Sequence, residues 1–317
     1  MKNDEIVASK QPVRLIFIHH SSGANWLADN NGGLGIALRD TNYFASDTNY
    51  GWGPDQIGSQ TDIGHWWKWF CDPERSPLYL DTLFKYSGQS TVYSRQQTAP
   101  LGENEIVLFK SCFPNSTLRG DPSAPIPPIS KNAMRGNKAA TVPSDPATLN
   151  RYLVYRLKSV AKTLLGKNKN ESAYTVANAK GIYIELLNRF RKHADKLFVA
   201  ITAPPLRYSP TASNTRAFNQ WLVNDWLSEY PLKNVAVFDF FNVLTTNGGD
   251  PYVNDLAQET GNHHRFWKGA IQHQVDSRFN LLAYPTKDDH ANKAGNQKAT
   301  AEFVPLLNAF YTNWKNS

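Results

Sequence analysis

Four short apolar runs, rich in β-branched residues, constrain the fold more than any other feature of the chain. They cover residues 13–18, 105–109 ("EIVLF"), 196–202 ("KLFVAIT") and 234–238 ("NVAVF"). Their nearly continuous apolar character predicts strands that are buried on both faces, as in a parallel sheet covered by helices. A weaker run at 43–46 predicts one more strand after the first. We therefore expect a parallel sheet of about five strands.

Helical patterns lie between and after these runs. Residues 292–314 predict a final helix that is kinked or restarted at Pro305. Strands that alternate with helices are typical of an α/β domain in which helices cover the sheet. We expect one such domain over residues 1–317. The other predicted helices are 149–165, 175–192 and 214–230.

Two segments have no clean period and predict long surface loops of the same domain. They span about 113–148 and 248–286. The formal charge of +7 favours anionic partners such as acidic polysaccharides or nucleic acid. The densest basic stretch, 158–170, has the pattern of a solvated helix face and loop, so we expect no nucleic-acid partner.

Targeting signals and cysteines give little information about where the protein acts or how its fold is stabilised. No run reaches the roughly 18 apolar residues of a membrane span. The first 14 residues, "MKNDEIVASKQPVR", are polar and lack a signal-peptide core, so we expect an intracellular protein, or a secreted or periplasmic one if a signal was removed. Cys71 and Cys112 allow one disulfide or two free thiols.

Polar residues follow the first strand and precede the last helix. Ligands of an open parallel sheet bind beyond the carboxyl ends of its strands, where these segments are expected to meet. Ser21, in "HHSSG" (19–23), stands at a strand–helix turn and is a candidate nucleophile. His290, beside two aspartates in "TKDDHANKAG" (286–295), is a candidate base with its own orienting acid.

Two further residues suit an oxyanion hole. Gly53 permits close approach of the backbone to a reacting oxygen, and the Asn115 side chain offers an N–H donor. Trp26 and Trp52 are close in sequence to Ser21 and Gly53, so we expect them at the rim of the site, contacting substrate.

Together these segments resemble, in chain order, the blocks of the SGNH hydrolase superfamily, also called GDSL esterases. "IFIHHSSG" resembles the first block and gives Ser21 as nucleophile, while "NYGWGPD" gives Gly53 as the oxyanion glycine. "VLFKSCFPNS" gives Asn115 as the oxyanion asparagine, and "DDHANKAGNQ" gives the acid and His290. The resemblance implies a flavodoxin-like three-layer α/β/α sandwich, an oxyanion hole that includes the Ser21 N–H, and no cofactor.

The chain departs from the family pattern in two places. His19 and His20 replace Gly-Asp before the serine, and Lys287 stands where the family has its acid. We expect Asp288 to be the acid, because it leaves one residue before the histidine, and Asp289 to cap the last helix. A Ser–His dyad without an acid is the alternative.

Histidines raise the question of a metal. His263, His264 and His273, with the two aspartates, have ligand chemistry for a divalent ion, but no tight spacing supports a site. We expect no metal.

The sequence therefore predicts a serine esterase on a small-molecule or glycan ester, most of all a carbohydrate O-acyl (acetyl) esterase. One alternative is a catalytically inactive glycan-binding protein on the same fold, and another is a metal-dependent phosphoesterase.

Overall fold

A computed structural model describes residues 11–139 and 173–317. Five strands form one parallel sheet in the order β2-β1-β3-β4-β5, and every strand residue is buried. The prediction of a buried parallel sheet is confirmed, including the weak second strand. The strands are β1 (Val13–Ile18), β2 (Tyr43–Thr48), β3 (Ile106–Lys110), β4 (Leu197–Ile201) and β5 (Val235–Phe238).

Helices connect the strands. The last helix runs as one element through Pro305, so it is not restarted there as the sequence suggested. The predicted helix at 149–165 lies outside the described residues. The helices are α1 (Ser21–Leu27), α2 (Leu34–Asp40), α3 (Trp66–Phe70), α4 (Ser76–Lys85), α5 (Val176–Phe190), α6 (Ala212–Asn224), α7 (Phe240–Val243) and α8 (Lys293–Lys315).

The sheet separates two hydrophobic cores because neighbouring strand residues point to opposite faces. Ile16 and Ile18 of β1 belong to the core beneath α3, α4, α5 and α6. Leu15 and Phe17 of the same strand belong to the core beneath α1, α2, α7 and α8. The fold is thus α/β with helices on both faces of a parallel sheet.

Residues 248–286 are not wholly irregular, which corrects the predicted long loop. They contain an antiparallel hairpin of β6 (His263–Trp267) and β7 (Ala270–Gln274). Lys268 and Gly269 form its two-residue turn, both with positive φ (51° and 84°). Two positive φ values are what a type I′ hairpin turn requires. The described part of 113–148 holds only short 3-10 turns, at Phe113–Asn115 and Ile129–Lys131.

No helix among the described residues has both the length and the apolar character that crossing a bilayer would require.

Trp26 lies in the core and not at the rim of the site, so that prediction is wrong. Its side chain is fully buried and packs against Phe240 and Phe303, with ring centroids 4.7 and 5.2 Å away. Its indole N–H donates to Thr300 Oγ1 of α8 at 2.9 Å. Trp26 therefore packs α1 against α8.

Trp52, the other predicted rim residue, is half-buried and stacks on Trp69 with ring centroids 5.9 Å apart.

We expect Trp26→Ala to lower the free energy of unfolding by about 3–5 kcal/mol, because it removes a buried aromatic side chain and leaves a cavity. Chemical denaturation measures the change. Trp26→Phe is the control: it keeps an aromatic ring and loses the bond to Thr300, so its cost should be clearly smaller. A loss below about 1 kcal/mol for Trp26→Ala would contradict a core role.

Candidate active site

Ser21, His290 and Asp288 lie in one hydrogen-bonded row. Ser21 opens α1 directly after β1, and its Oγ lies 2.8 Å from His290 Nε2. The other ring nitrogen, Nδ1, lies 2.9 Å from Asp288 Oδ1. The structure thus brings together three residues from opposite ends of the chain. Serine hydroxyl, imidazole and carboxylate are ordered as in a nucleophile–base–acid triad.

Asp288 is held as a carboxylate by the groups around it. Burial alone would raise its pKa, but hydrogen bonds from the His290 N–H, the His290 ring and the Thr286 hydroxyl outweigh burial and keep the pKa below its ordinary value. The His290 N–H and Thr286 Oγ1 each lie 2.9 Å from Asp288 Oδ1. An ionised Asp288 can therefore accept a hydrogen bond from the Nδ1–H of His290 at neutral pH.

Asp289 has a different role from the one that the sequence suggested. It is buried, and its Oδ1 accepts the backbone N–H of Arg207 at 2.9 Å. The cap of α8 is Asn292, whose side chain accepts the Gly295 N–H at 3.1 Å. The prediction that Asp289 caps the last helix is therefore wrong. Burial raises the pKa of Asp289, which makes it the poorer acid partner for a histidine.

His20 anchors the loop that carries Gly53. Its Nε2 donates to Gly58 O at 2.7 Å, and the Thr61 hydroxyl lies 3.0 Å from its Nδ1. Burial lowers the pKa of His20 to about 4, so the ring is neutral at pH 7 and can donate from one nitrogen while accepting at the other. The Tyr50 ring stacks on it with centroids 3.8 Å apart.

His19 supports the strand–helix turn from below. It is fully buried, with Nε2 at 3.0 Å from Asp47 Oδ2 on β2 and Nδ1 at 2.8 Å from His20 O. A Cβ on Gly23 would lie 2.4 Å from His19 Cβ, which explains why glycine stands there. His19 and His20 are thus built into the scaffold of the site.

Gly53 has a backbone that requires glycine. Its φ of 76° and ψ of −179° lie in a region that L side chains rarely adopt. The residue is exposed. Neighbouring Asp55 and Gln56 also have positive φ, 54° each, so this short turn is strained. Backbone strain of this kind clusters at functional sites.

Asn115 is committed to a buried network. Its Oδ1 accepts from the Ile63 N–H at 2.9 Å and the Tyr174 hydroxyl at 2.6 Å. Its Nδ2 donates to Asp62 Oδ1 at 2.7 Å and to Cys112 O at 3.1 Å. Both amide hydrogens therefore have protein acceptors, so Asn115 can donate to an oxyanion only by giving one of them up.

Ser22 lies next to Ser21 but faces a thiol. Its hydroxyl is buried and lies 3.1 Å from Cys112 Sγ, whereas Ser21 Oγ lies 3.7 Å from the same sulfur. Burial alone would raise the pKa of Cys112, but the buried Lys110 ammonium and hydrogen bonds from the two serines bring it below its ordinary value. Cys112 and Cys71 are free. Only Ser21 of the two serines is paired with His290.

The histidines of the second group form hydrogen bonds with Glu302 and Asp239. His263 Nδ1 lies 2.7 Å from Glu302 Oε1, and His273 Nε2 lies 3.0 Å from Asp239 Oδ2. His264 accepts the Asp239 N–H, and burial lowers its pKa to about 3. Within 11–139 and 173–317, no three histidine, cysteine or carboxylate side chains are arranged to hold a metal ion.

Three contacts of the site were not foreseen from the sequence. The Tyr50 phenol lies against the Ser21 side chain and N–H; burial raises its pKa, and hydrogen bonding to Ser21 partly offsets this. The Phe113 ring meets the His290 ring edge-on at 5.1 Å. Thr286 contacts Asp288 as described above. The dipeptides "NY", "CF" and "PT" around these residues carry no signal of chemistry, so only tertiary structure reveals them.

Comparison of the chain with protein-family models, with curated proteins and with solved structures finds no significant match in any of the three.

We expect Asn115→Ala to lower the free energy of unfolding by about 2–4 kcal/mol, because buried donors at Ile63 and Tyr174 lose their acceptor. Asn188→Ala, at an exposed position of α5, is the control and should change stability by less than about 0.5 kcal/mol. A purely catalytic oxyanion donor would behave differently: turnover would fall about 10²–10³-fold with the melting temperature unchanged. That second pattern would contradict a structural role.

Proposed function

We propose that the protein is a serine hydrolase of carboxylic esters, of the SGNH hydrolase type that its sequence blocks resemble. The observation that carries the proposal is the 2.8 Å contact between Ser21 Oγ and His290 Nε2, continued by Asp288 at 2.9 Å. The strand order of the sheet, which is that of doubly wound flavodoxin-like folds, supports the same assignment.

The proposed reaction has two acyl-transfer steps. His290 Nε2 takes the Ser21 proton as Oγ attacks the ester carbonyl carbon, and Asp288 stabilises the imidazolium that forms. His290 then gives its proton to the leaving alcohol oxygen as the C–O bond breaks, which leaves an acyl-serine. Water, deprotonated by the same histidine, releases the carboxylic acid and restores Ser21. The N–H groups of Ser21 and Gly53 are the proposed oxyanion donors, with Asn115 available only if it gives up a present bond.

The proposed substrate is an acylated carbohydrate. Tyr50 is 62% exposed beside the serine, and Phe113 flanks the histidine. The Tyr50 ring has an aromatic face with a polar hydroxyl edge, which suits a sugar ring better than a long acyl chain. This part of the proposal rests on the surroundings of Ser21 and not on the triad itself.

A non-catalytic glycan-binding role is the second candidate. The observation that favours it is the Tyr50 phenol, which lies against Ser21 where an oxyanion would have to be accommodated. Hydrolysis of a short-chain nitrophenyl ester separates the two candidates. Ester hydrolysis that survives metal chelation would also exclude a metal-dependent phosphoesterase.

Ser21→Ala should abolish ester hydrolysis, with a loss of about 10⁴–10⁶-fold in kcat, because the nucleophile is removed from the row of three groups. The melting temperature should hardly change, since Ser21 is only partly buried. Ser22→Ala is the matched control and should retain activity, because its hydroxyl faces Cys112. If the Ser22 variant is inactive and the Ser21 variant turns over normally, the nucleophile has been assigned to the wrong serine.

Asp288→Asn should lower kcat by about 10²–10⁴-fold, because the amide no longer stabilises a protonated His290. Asp289→Asn is the isosteric control one residue away. Its side-chain oxygen can still accept the Arg207 N–H, so activity should stay within about twofold and stability within about 1 kcal/mol of the parent. Steady-state kinetics and thermal melts of the two variants decide the point. Full activity of the Asp288 variant would indicate a Ser21–His290 dyad.

A further inference from the structure

A cavity of about 670 Å³ lies beside the triad and is not used by the proposed chemistry. The Thr286 side chain lines it and also contacts Asp288 Oδ1 at 2.9 Å. Thr286 therefore lies between the cavity and Asp288. The cavity is thus close to Asp288, and one ligand that reaches both the cavity and Ser21 is the basis of the proposal below.

Three cationic side chains line the cavity, and they come from two segments of the chain. Arg207 follows β4, Lys287 precedes the triad aspartate, and Lys293 opens α8. No carboxylate is among the lining residues. Within the part of the chain that the structure describes, neither lysine ammonium forms an ion pair. Asp289 Oδ1 accepts the Arg207 backbone N–H at 2.9 Å, and the charge of Arg207 partly offsets the rise that burial causes in the pKa of Asp289.

Hydrogen bonds join the segments around the cavity. Arg207 donates a guanidinium hydrogen to Lys287 O at 2.9 Å, which connects the segment after β4 to the segment that carries His290. The Asn292 amide donates to Pro251 O at 2.8 Å, which places Tyr252 at the edge of the cavity. Tyr252 is 82% exposed, so its ring is free to stack on a ligand. Cations with an adjacent free aromatic face are the features that recognise an acidic sugar.

We propose that this cavity binds the anionic group of an acidic saccharide whose acyl ester is presented to Ser21. This proposal rests on the proposed esterase function and adds its substrate class. The bound group is an anion with oxygen acceptors: either the planar carboxylate of a uronate or the tetrahedral sulfate of a sulfated sugar. The formal charge of +7 on the whole chain favours the same class of ligand.

The test compares two double variants of the full chain. Lys287→Gln with Lys293→Gln removes two charges from the cavity. Lys192→Gln with Lys233→Gln is the control: it removes the same charge from exposed positions before β4 and β5, at the opposite edge of the sheet. Each protein is assayed on an acetylated oligogalacturonide, an acetylated sulfated oligosaccharide and an acetylated neutral xylo-oligosaccharide.

We expect the ratio of kcat/KM for the acidic over the neutral substrate to fall about tenfold or more in the cavity variant and to be unchanged in the control. The acidic substrate with the larger loss identifies carboxylate or sulfate as the bound group. An equal fall of the ratio in both variants would overturn the proposal, because general charge steering would then explain it. A parent protein without any preference for acidic substrates would also overturn it.

Failure of the esterase assignment is distinguished by a binding measurement. Unacetylated trigalacturonate and its sulfated counterpart are titrated into the parent and both double variants by calorimetry. If no ester is hydrolysed but binding is lost only in the cavity variant, the anionic subsite stands and the esterase proposal fails. If neither anion binds to the parent, the subsite proposal fails whatever the activity.

Discussion

The close contact between Gly23 and the ring of His19 is the constraint on which the site depends. A Cβ at residue 23 would lie only 2.4 Å from His19 Cβ, so the first turn of α1 can lie over the histidine only because the glycine has no side chain. His19 is itself held by Asp47 on the neighbouring strand. The orientation of Ser21 is thereby fixed by the packing of β1 and α1, independently of its contact with His290. His290, 269 residues further on, meets a serine that is already placed.

A parallel sheet explains why such distant residues meet. Carboxyl ends of parallel strands lie at one edge, and each connection must begin there. The turn after β1 supplies Ser21, the turn before α8 supplies His290, and the loop after β2 carries Gly53, the proposed oxyanion glycine. The bond from His20 to Gly58 ties the first two of these segments together. The proposed site therefore lies at the carboxyl edge of the sheet and is held by buried side chains, His19 and His20, that take no part in the proposed chemistry.

The strands, and the proximity of Ser21, His290 and Asp288, could be predicted because each has a local signal: continuous apolar runs, and polar clusters where those runs end. Trp26 could not be placed from sequence, because closeness to Ser21 along α1 does not tell which face of the helix it occupies. The hairpin at 263–274 was missed because "HHRFW" and "AIQHQ" are too polar to look like strands, although "KG" between them is a turn signal. The buried hydrogen bonds of Asn115 could not be predicted either, because one of its partners, Tyr174, is distant in sequence.

The adjacent pair Asp288 and Asp289 shows how environment divides two identical side chains. Both lie within two residues of His290, so their spacing in the sequence gives only a weak reason to choose one of them as the acid. Hydrogen bonds to Asp288 favour its charged form and lower its pKa, whereas burial disfavours the charge on Asp289 and raises its pKa. A carboxylate that must stabilise an imidazolium has to be ionised when the proton arrives. Asp288 therefore suits the part through its electrostatics as well as its position, and Asp289 suits the Arg207 backbone, whose N–H needs only an oxygen acceptor.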